Sequence, residues 1–166
     1  MGKICKTNDI SMKKIIDQDG TIRYFNKKYQ LHRENGPALE SVVGYKEWYK
    51  NGKLHREDGP AIEHIDSSRE WYKNGLLHRE VGPSIENING NKFWYKNGVR
   101  HREDGPAIEF ANGSKLWFKN DKLHREDGPA IEYHNGEKKY WYNNIYYPEI
   151  KTDEEWIRFV KLMVFQ

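Results

Sequence analysis

The sequence predicts a mostly β protein: an elongated, single-layer antiparallel β-hairpin solenoid of 23-residue repeats with a C-terminal capping α-helix. Two observations carry this prediction. A heptapeptide, His-Arg-Glu-Asp-Gly-Pro-Ala or a close variant, recurs at an interval of 23 residues, and such a period is typical of stacked supersecondary units. Only 36% of the chain is hydrophobic, yet 14% is aromatic, which fits large rings covering a thin sheet.

The heptapeptides begin at His32, His55, His78, His101 and His124. A residue that recurs in every copy most simply has a structural role, because a catalytic site needs one unique set of residues. The repeats divide the chain into three parts: an N-terminal cap or strand over residues 1–19, a repeat array over residues 20–147, and a C-terminal linker with an amphipathic capping helix over residues 148–166.

Each copy is predicted to contain two short strands joined by a tight turn. Asn-Gly at residues 89–90, 112–113 and 135–136 indicates a type I′ turn, in which both central residues need positive φ. The Gly-Pro pair ahead of each first strand sets its entry. We expect the glycine to adopt a left-handed conformation, and proline at the first strand position removes no ladder hydrogen bond.

The C-terminal segment has the pattern of an amphipathic helix. Residues 152–155, Thr-Asp-Glu-Glu, form a capping box with acidic residues in the first turn. Apolar residues then follow helical spacing at Trp156, Phe159, Val160 and Met163. A helix over residues 152–166 would close the open edge of the last hairpin, and the alternative of an oligomerisation or partner helix stays open.

Aromatic pairs followed by lysine are the candidate binding residues. Neighbouring strand residues point to opposite faces, so each face should carry an aromatic file, with Trp141-Tyr142 as its last pair. The files are interpreted either as packing that covers the sheet or as a stacking platform for a partner. The candidates are Trp48, Trp71, Trp94, Trp117, Tyr49, Tyr72, Tyr95, Phe118, Lys50, Lys73, Lys96 and Lys119.

No catalytic or metal-binding constellation stands out. Histidines spaced by one copy, about 10 Å, cannot converge on one metal ion, so we expect each to bond a nearby carboxylate or backbone group. The heptapeptide arginines and the glutamates of each copy predict inter-repeat ion-pair ladders. Neither a phosphate loop nor a nucleophile elbow is present, so the sequence predicts a protein that is not an enzyme and has no cofactor.

Charge and cysteine content narrow the function classes. The net charge is +3 and the charges are interleaved within each copy, which argues against a nucleic-acid arm or a membrane patch. Cys5 is the single cysteine and no apolar leader follows Met1, so we expect a cytoplasmic protein. A protein partner is expected, and homo-oligomerisation through the C-terminal helix or an aromatic face stays open.

The repeat resembles a variant of the MORN repeat, in which an aromatic strand leads into Gly-x-x-His-Gly-x-Gly. Residues 48–55, Trp-Tyr-Lys-Asn-Gly-Lys-Leu-His, match the first part, and residues 56–60, Arg-Glu-Asp-Gly-Pro, depart from the second. The resemblance covers about residues 20–144 and implies a single-layer hairpin solenoid that serves binding or scaffolding. The heptapeptide is also similar to repeats in uncharacterised proteins of large DNA viruses and phages.

The predicted function is therefore a non-enzymatic protein-interaction or scaffold module, with a viral origin suggested by the heptapeptide. Such a module would present one face or edge of the repeat ribbon. The alternative is a carbohydrate-binding or nucleic-acid-stacking module that uses the aromatic ladder. Departures from the repeat at Val81, Val99 and Asp121 either specify a partner or are drift.

Overall fold

The computed structural model describes residues 12–164, and the chain divides into two compact units, Met1–Ile88 and Asn89–Gln166. Between residues 12 and 164 the backbone forms 22 β-strands and one α-helix. In this described part the first two strands have four residues each and every later strand has two. The predicted class, an antiparallel β-hairpin repeat array with a C-terminal helix, is confirmed.

The strands follow the repeat closely. The unit Met1–Ile88 contains β1 (Lys13–Ile16), β2 (Ile22–Phe25), β3 (Leu39–Glu40), β4 (Lys46–Glu47), β5 (Tyr49–Lys50), β6 (Lys53–Leu54), β7 (Ile62–Glu63), β8 (Arg69–Glu70), β9 (Tyr72–Lys73), β10 (Leu76–Leu77) and β11 (Ile85–Glu86). The unit Asn89–Gln166 contains β12 (Lys92–Phe93), β13 (Tyr95–Lys96), β14 (Val99–Arg100), β15 (Ile108–Glu109), β16 (Lys115–Leu116), β17 (Phe118–Lys119), β18 (Lys122–Leu123), β19 (Ile131–Glu132), β20 (Lys138–Lys139), β21 (Trp141–Tyr142), β22 (Ile145–Tyr146) and α1 (Asp153–Val164).

The N-terminal cap predicted over residues 1–19 lies partly outside the described residues. Within them, β1 pairs antiparallel with β2 over their full length.

Each copy contributes two hairpins rather than the one predicted. In the first unit the sheet order is β1, β2, β3, β4, β7, β8 and β11, and in the second unit it is β12, β15, β16, β19 and β20. The other strands form separate two-stranded hairpins, such as β9 with β10. The division falls at tryptophan: the Trp71 N–H donates to the carbonyl of Ser84 at 2.8 Å, and its carbonyl accepts from the His78 N–H at 3.0 Å. These bonds turn the chain out of the sheet between β8 and β9.

The two hairpins of a copy have different turns. Asn74 and Gly75, between β9 and β10, have φ values of 55° and 86°, as a type I′ turn requires. Gly113, between β15 and β16, has φ 91°, while Asn112 is absent from the described residues with positive φ. The Gly113 N–H donates to the Phe110 carbonyl at 2.9 Å, which is the pattern of a type I turn followed by a left-handed residue. The prediction of type I′ turns at residues 112–113 and their equivalents was therefore wrong.

The core is thin because each copy buries few side chains. The heptapeptide alanine is fully buried in several copies, and the isoleucine after it is 7% exposed. In the second unit Ala107, Ile108 and Phe118 form a cluster against which Phe93 and Leu116 pack. The methyl group of the heptapeptide alanine fits at this crowded corner, where the heptapeptide loop leads into the next strand.

In the last copy, the predicted aromatic pair Trp141-Tyr142 is one residue out of register with the pairs of the earlier copies. β20 and β19 pair as β16 and β15 do, so Tyr140 occupies the position of Trp117 in the preceding copy. The Tyr147 N–H donates to the Tyr140 carbonyl at 3.0 Å, as the His124 N–H donates to Trp117. Trp141 therefore corresponds to Phe118, and its assignment as the fifth tryptophan was wrong.

Helix α1 covers this last copy, as predicted. Trp156 is fully buried, and its ring lies 5.5 Å from that of Tyr140. Its Nε1–H donates to the Arg125 carbonyl at 3.0 Å. Val160 is also buried.

The capping box forms at the start of α1. The Glu155 N–H donates to Thr152 Oγ1 at 3.2 Å, and Glu155 accepts in return from the Thr152 N–H. On the predicted apolar face, Phe159 packs beside Trp156 and Tyr147, while Met163 is 37% exposed. Residues 165 and 166 of the predicted helix lie outside the described part of the chain.

Candidate binding surface on the heptapeptide loops

An arginine covers an aromatic ring at each heptapeptide loop. The guanidinium carbon of Arg79 lies 3.7 Å from the ring centroid of Trp71, within the range of a cation–π contact. The equivalent distances are 3.9 Å for Arg33 and Tyr24, 4.0 Å for Arg56 and Trp48, 4.2 Å for Arg102 and Trp94, and 4.0 Å for Arg125 and Trp117. One face of each of these rings is therefore occupied by a side chain of the protein itself.

These arginines also donate hydrogen bonds to groups of their own copy. Arg56 donates from Nη1 to Glu63 at 3.0 Å and to the Pro60 carbonyl at 3.2 Å, and from Nε to Asp58 at 2.9 Å. The predicted arginine–glutamate pairs thus exist, but they join residues of one copy rather than of neighbouring copies. Each guanidinium fixes its own loop to the strand that follows.

The heptapeptide glycine is required in most copies by close approach rather than by a left-handed backbone. A Cβ atom on Gly59 would lie 2.8 Å from the guanidinium carbon of Arg56, and Gly59 lacks a positive φ. Where Val81 replaces the aspartate, Gly82 has φ 97°. The expected left-handed glycine is therefore found at Gly36 and Gly82, where asparagine and valine replace the aspartate, and is wrong for Gly59. The departure at Val81 removes an acceptor for Arg79 and coincides with a different loop backbone.

The repeated histidines are bound as predicted, to a carboxylate and to backbone. His55 Nδ1 accepts from the Asn74 N–H, in the turn between β9 and β10 of the same copy, at 3.1 Å, which leaves the ring proton on Nε2, 3.1 Å from Glu57. In a later copy the hydrogen bond from His101 lowers the pKa of Glu103. Among residues 12–164 no group of three or more His, Cys, Asp or Glu side chains is placed to hold a metal ion.

Open clefts lie between successive heptapeptide loops within each unit. The floor of each cleft is the aromatic-aromatic-lysine segment of one copy, and its walls are two neighbouring loops. Their volumes are about 680 Å³ between the loops at residues 102–106 and 124–127, about 560 Å³ between those at 55–60 and 78–81, and about 480 Å³ between those at 33–36 and 55–58.

The charges in these clefts are nearly balanced. The cleft between residues 55–60 and 78–81 is lined by the cations Arg56, Lys73 and Arg79 and by the carboxylates Glu57, Asp58 and Glu80. In the equivalent cleft of the second unit, the hydrogen bond from Arg102 holds the pKa of Asp104 below its usual value. Carboxylates and cations therefore stay ionised side by side, and the surface has no strong preference for an anion or a cation.

The predicted binding residues fall into three groups. The tryptophans Trp48, Trp71, Trp94 and Trp117 are half-buried beneath arginine. Of the next residues, Tyr49, Tyr72 and Tyr95 are half-buried and Phe118 is buried. Lys50, Lys73, Lys96 and Lys119 are exposed. The structure therefore brings the lysines to the surface and leaves the tryptophans mostly as packing for arginine.

The exposed carboxylates at the loop tips were missed as surface groups. The side chain of Glu57 is 76% exposed and that of Asp58 is 84% exposed. The sequence predicted ion-pair ladders between the arginines and both glutamates of each copy, but Arg56 binds only Glu63 of the two, and Glu57 bonds His55. The repeated acidic pair within a loop that also contains Gly-Pro was the available signal, since such loops lie at the surface.

Comparisons with known proteins do not assign this chain to a family. No protein-family model matches the chain, and the search of curated proteins found no significant match. The MORN-type resemblance therefore stays a prediction. Among the described residues, α1 is too short and too polar to cross a membrane.

Proposed function

We propose that this protein is a non-enzymatic interaction or scaffold module that presents its heptapeptide-loop surface to a protein partner. The observation that carries the proposal is the way each arginine is used. It covers a ring face and binds its own loop, so the groups left exposed are loop carboxylates and strand lysines, repeated once per copy.

Mixed, regularly spaced charges suit a protein surface of complementary pattern. Opposite charges at short range give orientation and specificity at an interface more than raw affinity. Repeat arrays commonly bind through such long, continuous surfaces. A viral origin and a cytoplasmic location remain part of this proposal, and they rest on the heptapeptide resemblance and the single cysteine.

The alternative, stacking of sugars or bases on the aromatic ladder, is less well supported. A stacked ligand needs an open ring face, and one face of each ladder tryptophan is covered at 3.7–4.2 Å. The near balance of charge in the clefts also gives little attraction for a phosphate backbone.

Affinity capture from the native host with loop variants tests the proposal. Glu57→Lys with Lys73→Glu inverts the charge pattern of one cleft, and Glu137→Lys alters an exposed glutamate in a hairpin turn as the matched control. We expect the double variant to lose the protein that both wild type and the control capture, while its melting temperature is retained.

Two results would contradict the proposal. One is capture that persists in the double variant and disappears only in unfolded variants. The other is saturable binding to a glycan or to single-stranded nucleic acid that needs the ladder tryptophans.

A further inference from the structure

The hairpin tips of the unit Met1–Ile88 expose a row of β-branched aliphatic side chains. Val42, Val43, Ile65 and Ile88 are 64%, 61%, 69% and 66% exposed. Val42, Ile65 and Ile88 are one repeat apart, so successive tips stand two strands apart along the sheet. Isolated exposed aliphatic residues are ordinary, but a row of them marks an interaction surface.

The sequence of the second unit shows that the row is a property of particular copies. The equivalent positions there are Ala111 and His134. The tips also lie at the opposite end of the short strands from the heptapeptide loops. The row is therefore separate from the surface of the proposed function.

Two glutamates close to these tips have no lysine or arginine partner among the described residues. Glu70 accepts from Tyr72 at 2.8 Å and interacts with His64 Nε2 at 2.9 Å. Glu47 accepts from Tyr45, and burial beside Glu47 raises the pKa of Tyr49 to about 12.

The glutamates on the other face of the same sheet are all paired with cations. There Glu40, Glu63 and Glu86 are each bound by a heptapeptide arginine. Lys46 and Arg69 also belong to that face, because they are cross-strand partners of Glu63. The face that carries Glu47 and Glu70 also carries Arg23, but Asp17 pairs with that arginine, so the two glutamates leave this face negatively charged beside an apolar edge.

We propose that this edge is a docking surface for a basic, amphipathic α-helix of a partner protein. The negative charge selects a basic partner, and the aliphatic row selects one with an apolar stripe.

The spacing selects a helix. Tips two strands apart are separated by roughly 10 Å. Helix residues seven apart lie on one face at about 10.5 Å separation, because each residue rises 1.5 Å. A strand covers roughly 10 Å in three residues, but residues three apart in a strand point to opposite faces. Glu47 and Glu70 are separated by the same 23 residues as the tips. A partner helix with one seven-residue repeat can therefore contact both the aliphatic side chains and the glutamates.

Fluorescence anisotropy with a labelled synthetic peptide tests the proposal on the full chain. The probe has about three heptads, with leucine at one repeated position and lysine at its neighbours on the same face. A peptide with glutamate in place of lysine and a scrambled peptide of the same composition are the ligand controls. Ile65→Ser and Glu70→Gln alter the edge, and Glu57→Gln is the matched control on the heptapeptide loop.

We expect the basic peptide to bind and to become helical by circular dichroism. Ile65→Ser and Glu70→Gln should each weaken binding about tenfold, the effect of losing one well-used contact, while Glu57→Gln leaves it unchanged. Ile65 is exposed, so Ile65→Ser should keep the wild-type melting temperature and separate binding from folding.

The proposal is overturned if the acidic or scrambled peptide binds equally well, or if neither edge variant changes the affinity. It is also overturned if sedimentation shows a dimer that Ile65→Ser dissociates, since a second copy would then occupy the edge. Loss of captured protein in the loop variants concerns only the heptapeptide surface, so the two proposals fail independently.

Discussion

Replacing Arg102 with alanine should destabilise the second unit by about 2–2.5 kcal/mol, the sum of the contacts that its side chain makes. The stack on Trp94 at 4.2 Å contributes about 1 kcal/mol at a partly exposed site. The pair with Glu109, both side chains being partly exposed, contributes about 0.5–1 kcal/mol. The hydrogen bond to the Pro106 carbonyl adds about 0.5 kcal/mol.

Urea denaturation followed by tryptophan fluorescence measures this loss. Arg102→Lys retains the charge but not the planar stack, so it should recover about half of the stability. Lys96→Ala removes an exposed cation and should change stability by less than about 0.5 kcal/mol.

A double-mutant cycle isolates the stack. Trp94→Leu combined with Arg102→Ala should give a coupling energy of about 1 kcal/mol between the two side chains. A coupling energy near zero, or full stability with lysine at position 102, would show that the guanidinium stack does not hold the loop.

Three further outcomes follow from the second unit. Gly128→Ala should lower the melting temperature, because its Cβ would lie 3.0 Å from the Arg125 guanidinium, and the loss should shrink in an Arg125→Ala background. The hydrogen bond from Tyr140 lowers the pKa of Asp153, so its stabilisation is present above about pH 4 and is lost as the pH falls through the lowered value. When the stability of Asp153→Asn is measured as the pH is lowered, this loss of stabilisation should be absent. Trp156→Ala should cost about 3–5 kcal/mol and reduce helical circular dichroism, since the side chain is fully buried.

The sequence predicted the repeat and its strands because both depend on local pattern. A 23-residue period and Asn-Gly pairs are visible without a structure, and they indicate hairpins wherever they occur. The number of hairpins per copy was not visible in this way. The run Arg69-Glu70-Trp71-Tyr72-Lys73 resembles one strand, and only the hydrogen bonds of Trp71 to Ser84 and His78 divide it into two.

The sequence predicted which residue types form the candidate site, but it did not predict which of them are exposed to solvent. Tryptophan, tyrosine and lysine were recognised, but an aromatic residue in a repeat gives no local sign of what covers its ring. Arg79 lies eight positions after Trp71, and the loop between them must fold back before the stack exists. The Tyr45, Glu47, His64 and Glu70 group was missed because its members are not repeated in every copy.

The sequence by itself determined the antiparallel hairpin class, the repeat length and the C-terminal helix, because turn chemistry and side-chain periodicity act between near neighbours. Tertiary structure decided which side chains the array uses internally and which it leaves exposed. Arginine stacking, the histidine bonds to the later hairpin turn of the copy and the aliphatic edge all join residues that only the folded backbone brings together.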